Sequence, residues 1–206
     1  MYISRLILDN TYRKVMEGFV RPVLFHGAIE QSVGEQRMRN IWRLDKFKGK
    51  YCLIVVTPVK PDLRLLQEQF GLEGYEPLSV CYDSFIDRIH ENQQWRFRVK
   101  INPVVCHNGK RCEVNTKDIM DWFILRANDN GFMVDKNFAD IIEITKYDFN
   151  KTSETRYKHG SYVQFKAVTI DGILTIADAD KMKNALINGI GKEKAYGCGL
   201  ITLAAI

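Results

Sequence analysis

The chain has 206 residues, a formal net charge of +5 and 46% hydrophobic residues, which is enough for one domain or two small ones with a buried core. No window approaches a membrane-spanning apolar run, and the opening Met1-Tyr2-Ile3-Ser4-Arg5 has no basic and apolar regions of a signal peptide, so a cytoplasmic protein away from membranes is predicted. Cys52, Cys81, Cys106, Cys112 and Cys198 are odd in number and scattered, which excludes a disulfide framework, and Cys106-His107 with Cys112 lacks the second ligand pair of a zinc site. No metal and no cofactor are expected.

In chain order, residues 2–8 alternate as an opening strand. A short helical turn runs to Met16 and is broken by Gly18. Pro22 then starts a helix to Val33 with Phe25, Ala28, Ile29, Ser32 and Val33 on one face. Strands at 39–44 and 51–57 follow, joined by the basic turn Lys46-Phe47-Lys48-Gly49-Lys50. Leu63, Leu66 and Phe70 mark a second helix stopped by Gly71, and 78–82 supplies a fourth strand. The order is β-α-β-β-α-β.

A polar linker at 88–94 separates this unit from a second one. Residues 95–101 alternate Trp95, Phe97, Val99 and Ile101 against Arg96, Arg98 and Lys100, and Asn102-Pro103 ends the strand. Asn115 or Thr116 caps a helix closed by Gly131, and strands at 141–149 and 162–170 follow. Asp178 caps a helix over 179–188, and a glycine-rich loop leads into a last strand at 200–204. The expected fold is α+β, two tandem ferredoxin-like domains with antiparallel sheets, over 1–88 and 95–206.

The loop reads Gly189-Ile190-Gly191-Lys192-Glu193-Lys194-Ala195-Tyr196-Gly197-Cys198-Gly199. Its glycines leave backbone amides unshielded by side chains, and its lysines add charge, a pattern suited to phosphate. It has no Gly-Lys-Ser or Gly-Lys-Thr ending and follows a helix, which argues against a nucleotide cofactor and for a nucleic-acid backbone. A helix C-cap would explain Gly189 alone. Charge is also uneven: residues 96–117 set Arg96, Arg98, Lys100, Lys110, Arg111 and Lys117 against Glu113, whereas 62–91 is acidic. Among the histidines, His26 stands out, lying within a helix, off its apolar stripe and one turn before Glu30. That makes it the predicted proton-transfer residue.

Several blocks together resemble the CasE family of CRISPR RNA-processing endoribonucleases in Cascade-type systems, part of the RAMP superfamily. They are the opening strand, Leu24-Phe25-His26, Ile41-Trp42-Arg43-Leu44, the stretch from Arg96 to Pro103, Val168-Thr169-Ile170-Asp171-Gly172-Ile173-Leu174 and, most specific, GIGKEKAYGCGLITLA at 189–204. The resemblance implies metal-independent cleavage at the base of a CRISPR repeat hairpin RNA, by attack of a ribose 2′-hydroxyl on the adjacent phosphate, with the product retained and other Cascade subunits as partners. The family's catalytic histidine falls on His26. Some members carry a tyrosine where this chain has Val23, so the helper role is either vacant or moved, with Tyr12, Lys14 or a basic residue of 151–158 as candidates. RNA contacts are expected from Gly191, Lys192 and Lys194, from Lys110 and Arg111, and from Lys151, Arg156 and Lys158. The rival expectation is an inactive RNA-binding subunit of a ribonucleoprotein complex.

Overall fold

The structure, a computed structural model, describes residues 1–34, 38–107, 109–151 and 161–206. The first unit runs β1 (Tyr2–Ile7), α1 (Arg13–Val20), α2 (Val23–Ser32), β2 (Ile41–Phe47), β3 (Lys50–Thr57), α3 (Leu63–Phe70) and β4 (Leu78–Cys81), with its strands ordered β2-β3-β1-β4. After the short helix α4 (Asp83–Ile86) come β5 (Gln94–Ile101), β6 (Val104–His107), β7 (Lys110–Glu113), α5 (Ile119–Asp129), β8 (Phe132–Lys151), β9 (Ser161–Ile176), α6 (Ala179–Asn188) and β10 (Ile201–Ala204). The second large sheet is ordered β10-β5-β9-β8. Each sheet therefore places its fourth strand beside its first, then its third, then its second, with antiparallel pairs throughout. This is the ferredoxin-like arrangement twice over, and the β6–β7 hairpin is an insertion after the first strand of the second unit.

Side-chain spacing explains the helices. Phe25, Ala28, Ile29 and Ser32 of α2 are buried at the intervals of one helix face. They pack with Leu6, Leu8, Trp42, Leu53, Leu66 and Phe70 beneath the first sheet. Phe25 alone meets the rings of Trp42 at 5.8 Å and Phe70 at 4.9 Å, and burying one such side chain contributes about 1.5–3 kcal/mol. Asp62 and Asp178 cap α3 and α6, their carboxylates accepting from the amides of Arg64 and Lys181 at 3.0 Å each, a feature worth about 1 kcal/mol.

Four expectations are corrected. Gly18 does not break α1; it lies inside it because a Cβ there would stand 2.5 Å from the Phe25 ring. β8 and β9 extend well beyond the alternating stretches, since register shifts between Val134 and Ala139 and between Ile141 and Glu143 destroy the period-two pattern. Neither Asn115 nor Thr116 caps α5: a 3₁₀ turn over Thr116–Asp118 intervenes, and the helix starts at Ile119. Lys100, grouped by alternation with Arg96 and Arg98, is only 5% exposed and donates to the Tyr147 hydroxyl at 3.2 Å. All five cysteines are free thiols.

The two units share a core. Ile41 and Val56 of the first sheet pack with Phe97, Val99, Val168, Ile170 and Ile201 of the second. Arg43 crosses the same boundary. Its guanidinium holds Asp45 through two 2.7 Å bonds and donates to the carbonyls of Arg98 at 2.6 Å and Leu200 at 2.9 Å and to the Thr202 hydroxyl at 2.8 Å. Arginine alone has the planar fork of donors to satisfy carboxylate and carbonyls together.

Candidate nucleic-acid interface

His26 sits one turn into α2, its side chain 22% exposed and its Nε2 3.2 Å from Glu30 Oε1. The next turn of its own helix thus holds the ring. Val23 packs at the edge of a cluster formed by Tyr147, Phe149, Phe165, Ala167, Tyr196 and Cys198, and α2 lies against the turn Lys194–Tyr196. Residues three, four and seven positions after Val23 share its side of the helix, so His26, Gly27 and Glu30 line the edge of α2 nearest that turn. A Cβ on Gly27 would meet nothing within 4 Å. Open space therefore adjoins α2 at Gly27, beside the residue that carries the imidazole.

The glycine-rich loop does not serve mainly as an amide nest. The amides of Gly189, Ile190, Tyr196, Gly197, Cys198 and Gly199 donate to carbonyls within the fold, that of Gly199 to Lys100 at 2.6 Å. Close packing explains two of the glycines. Gly197, at φ +79°, leaves room for the Trp42 ring, which a Cβ would meet at 2.8 Å, and Gly199 lies against the Ile190 carbonyl and the stem of Lys194. The capacity for an anion rests on residues 191–195 and the two lysines. Lys192 and Gly191 are exposed, and Lys194 is half-buried. Burial first, then the nearby cations Arg39 and Lys192, make the Lys194 ammonium easier to deprotonate than an ordinary lysine. A phosphate would reverse that effect by supplying the missing negative charge.

The basic hairpin joins this region. Arg111, exposed on β7, reaches Glu193 of the loop at 3.6 Å, and Lys110 beside it is exposed. A cleft of about 660 Å³ separates the hairpin from α5 and the loop and is lined by Arg111, Trp122, Arg126 and Lys192 among others. Lys151 ends β8, and Arg156 and Lys158 lie outside the described residues. Of the proposed helpers, Lys14 is turned toward α3, donating to Gln69 at 2.6 Å with its ammonium 5.1 Å from the Phe70 ring centre. Tyr12 is 45% exposed just ahead of α1. Sequence reasoning missed Arg39: no motif marks it, and only folding brings it within electrostatic reach of Lys194.

The arrangement pairs a held imidazole with a cluster of cations contributed by the other unit. Such a site can move a proton at a phosphodiester while neutralising charge on the phosphate. A family model described as CRISPR associated protein matches residues 1–205. The chain is similar to the CRISPR-associated endoribonuclease Cse3 of Thermus thermophilus, with 25% identity over 217 residues covering 99% of this chain and 100% of that protein. Its fold is similar to that of CRISPR endoribonuclease Cse3 solved bound to a 19 nt RNA, with a TM-score of 0.81, 23% identity and coverage of 99% and 100%. It also resembles a chain of a CRISPR RNA-guided surveillance complex, with a TM-score of 0.65, 20% identity and full coverage of both chains.

Proposed function

Since this chain belongs to the family of CRISPR-associated proteins, we propose that it is the endoribonuclease that cuts CRISPR repeat transcripts at the base of a hairpin and stays on its product. The observation that carries this reading is the placement of His26, partly exposed, braced by Glu30 and on the helix that packs against the Lys194 turn. In the reaction, the ribose 2′-oxygen loses its proton and attacks the adjacent phosphorus in line. The bond to the departing 5′-oxygen breaks, and that oxygen gains a proton. The products are a 2′,3′-cyclic phosphate and a 5′-hydroxyl. His26 serves one of the two proton transfers, a role worth about 10²–10⁴-fold. Lys192 and Lys194 neutralise charge that builds on the phosphoryl oxygens.

The division of labour follows the two units. Residues 1–88 carry the imidazole, and 95–206 carry the basic hairpin and loop that grip the stem through its phosphates and shape, because an A-form major groove is too narrow to read. Lys110, Arg111, Lys151, Arg156 and Lys158 are assigned to that grip. A chain of a CRISPR RNA-guided surveillance complex shares this fold, and a like assembly with Cascade subunits is proposed here. No metal takes part.

Cleavage of the cognate repeat hairpin in EDTA tests the reading. The native protein is expected to cut and His26→Ala to bind without cutting. Undiminished cleavage by His26→Ala, or a strict need for magnesium, refutes it. Val23, standing where some relatives have tyrosine, favours the rival of a purely structural RNA-binding subunit, and tight hairpin binding without cutting by the native protein would select that rival.

A further inference from the structure

The basic turn joining β2 and β3 takes no part in the site described so far. Lys48 and Gly49 at its tip have φ of +49° and +77°, the left-handed pair of a tight two-residue hairpin. The pairing of Phe47 with Lys50, and of Arg5 with Ile54, puts Phe47, Lys50 and Arg5 on the same face of the first sheet, away from its helices. Phe47 is 49% exposed there, a large apolar ring at the end of the face whose other end packs against the second unit. Cations surround it: the Arg5 guanidinium lies 5.9 Å and the Lys48 ammonium 5.6 Å from its centre. Close by, Lys50 stands 5.0 Å from the ring of Tyr75, itself 43% exposed.

On the other side of the hairpin, Lys46 lies 5.2 Å from the Tyr51 ring. Both line a cleft of about 450 Å³ that continues between the two units to Arg98, Lys100 and Tyr147, a volume within the range of small-ligand pockets. Its acids are Glu143 and Asp45, and Asp45 is already held by Arg43. Glu73 and Glu76 flank Tyr75 in the sequence and bound the basic region on that side. A relay of tilted ring contacts links the hairpin to α2: Tyr51 lies 4.5 Å from Phe19, and Phe19 lies 6.2 Å from Phe25, the sequence neighbour of His26.

Exposed rings set among cations suit unpaired nucleotides, whose bases stack on any aromatic face while their phosphates meet lysine. A duplex offers no free base faces, and an acidic peptide has no use for the rings beyond their cations. We infer that the β2–β3 hairpin is a binding surface for single-stranded RNA and holds the unpaired stretch that flanks the cleaved hairpin. The identity of that RNA rests on the function proposed above; the preference for unpaired RNA does not.

The test uses the full chain, native and with Phe47→Ala, and separately with Lys46→Gln, Lys48→Asn and Lys50→Gln together, asparagine being chosen because it tolerates the left-handed position. Fluorescence anisotropy is read with a short oligouridylate, with the bare repeat hairpin, and with the hairpin carrying an unpaired extension on either side. Phe47→Ala is expected to weaken oligouridylate binding about tenfold. It should remove the gain in affinity conferred by an extension and leave the bare hairpin and its cleavage unchanged. The triple lysine variant should lower the salt slope for oligouridylate by about 2, at roughly 0.7 per lost phosphate contact. The inference is overturned if native protein does not bind oligouridylate, if Phe47→Ala leaves that binding intact, or if polyglutamate competes for the site with the same dependence on Phe47. Failure of the bare hairpin to be bound or cut refutes the proposed function alone, because the oligouridylate result stands independently.

Discussion

Arg43→Ala is the most demanding test of how the site is assembled. The native side chain is 1% exposed and makes five hydrogen bonds, two to Asp45 on its own strand and three that tie β2 to β5, to Leu200 and to β10. Truncation leaves the Asp45 carboxylate half-buried without its cation and withdraws donors from the Arg98 and Leu200 carbonyls. Removing one partner of a buried ion pair costs about 3–5 kcal/mol. For a chain of this length, each kcal/mol lowers Tm by about 2–4 °C, so a fall of roughly 6–20 °C is expected in thermal unfolding followed by circular dichroism. Arg43→Lys keeps the charge but loses the planar fork and should fall between the two. Replacing both partners, as Arg43→Met with Asp45→Leu, removes the orphaned carboxylate and should recover part of the loss. Cleavage should slow in Arg43→Ala as well, because Leu200 follows directly on the loop that carries Lys194. A loss of stability under about 1 kcal/mol would show that the two units are held by their shared apolar core and that Arg43 adds nothing.

Gly197→Ala should cost about 2–4 kcal/mol, combining a left-handed φ with a 2.8 Å approach to Trp42; denaturant melts measure it, and native stability would contradict the packing account of this glycine. Because the folded chain releases the Lys194 proton more readily than the unfolded one, the unfolded state binds more protons just below the ordinary lysine range. Stability should therefore rise with pH across that alkaline window. Lys194→Met should abolish the rise, and an identical pH profile in both proteins would sink the assignment. Burial pushes the Cys52 thiol up to about 11 and the Cys198 thiol up to about 12, while Cys81, Cys106 and Cys112 are exposed. Mass spectrometry after brief alkylation of the native protein should find only those three modified, and prompt labelling of Cys198 would mean that the loop opens.

The order of elements was legible because the helices keep apolar faces and the strands of the first unit are short apolar runs bounded by turn residues. The position of His26 was legible for the same reason: Phe25, Ala28, Ile29 and Ser32 define the stripe that it avoids. Lys100 was not legible. Alternation groups it with surface arginines, and only the fold reveals that Tyr147 and the glycine-rich loop cover it. The glycines of that loop were read as a cradle for phosphate, yet two of them answer to Trp42, Ile190 and Lys194, partners that no local pattern discloses. The long β8–β9 ribbon hid behind its bulges, since a shift of one residue exchanges the two faces of a strand.

Tyr196 belongs to the cluster that Val23 packs against, yet it comes from a position beyond α6, late in the chain. A ribosome that has completed only β9 holds a polypeptide with His26 and no Lys194. On the roles proposed for His26 and Lys194, such a nascent fragment has the imidazole without the loop lysines, and truncation after β9 should leave it inert toward transcripts. Cutting thus becomes available only when synthesis has passed the loop, which couples the onset of activity to completion of the second sheet.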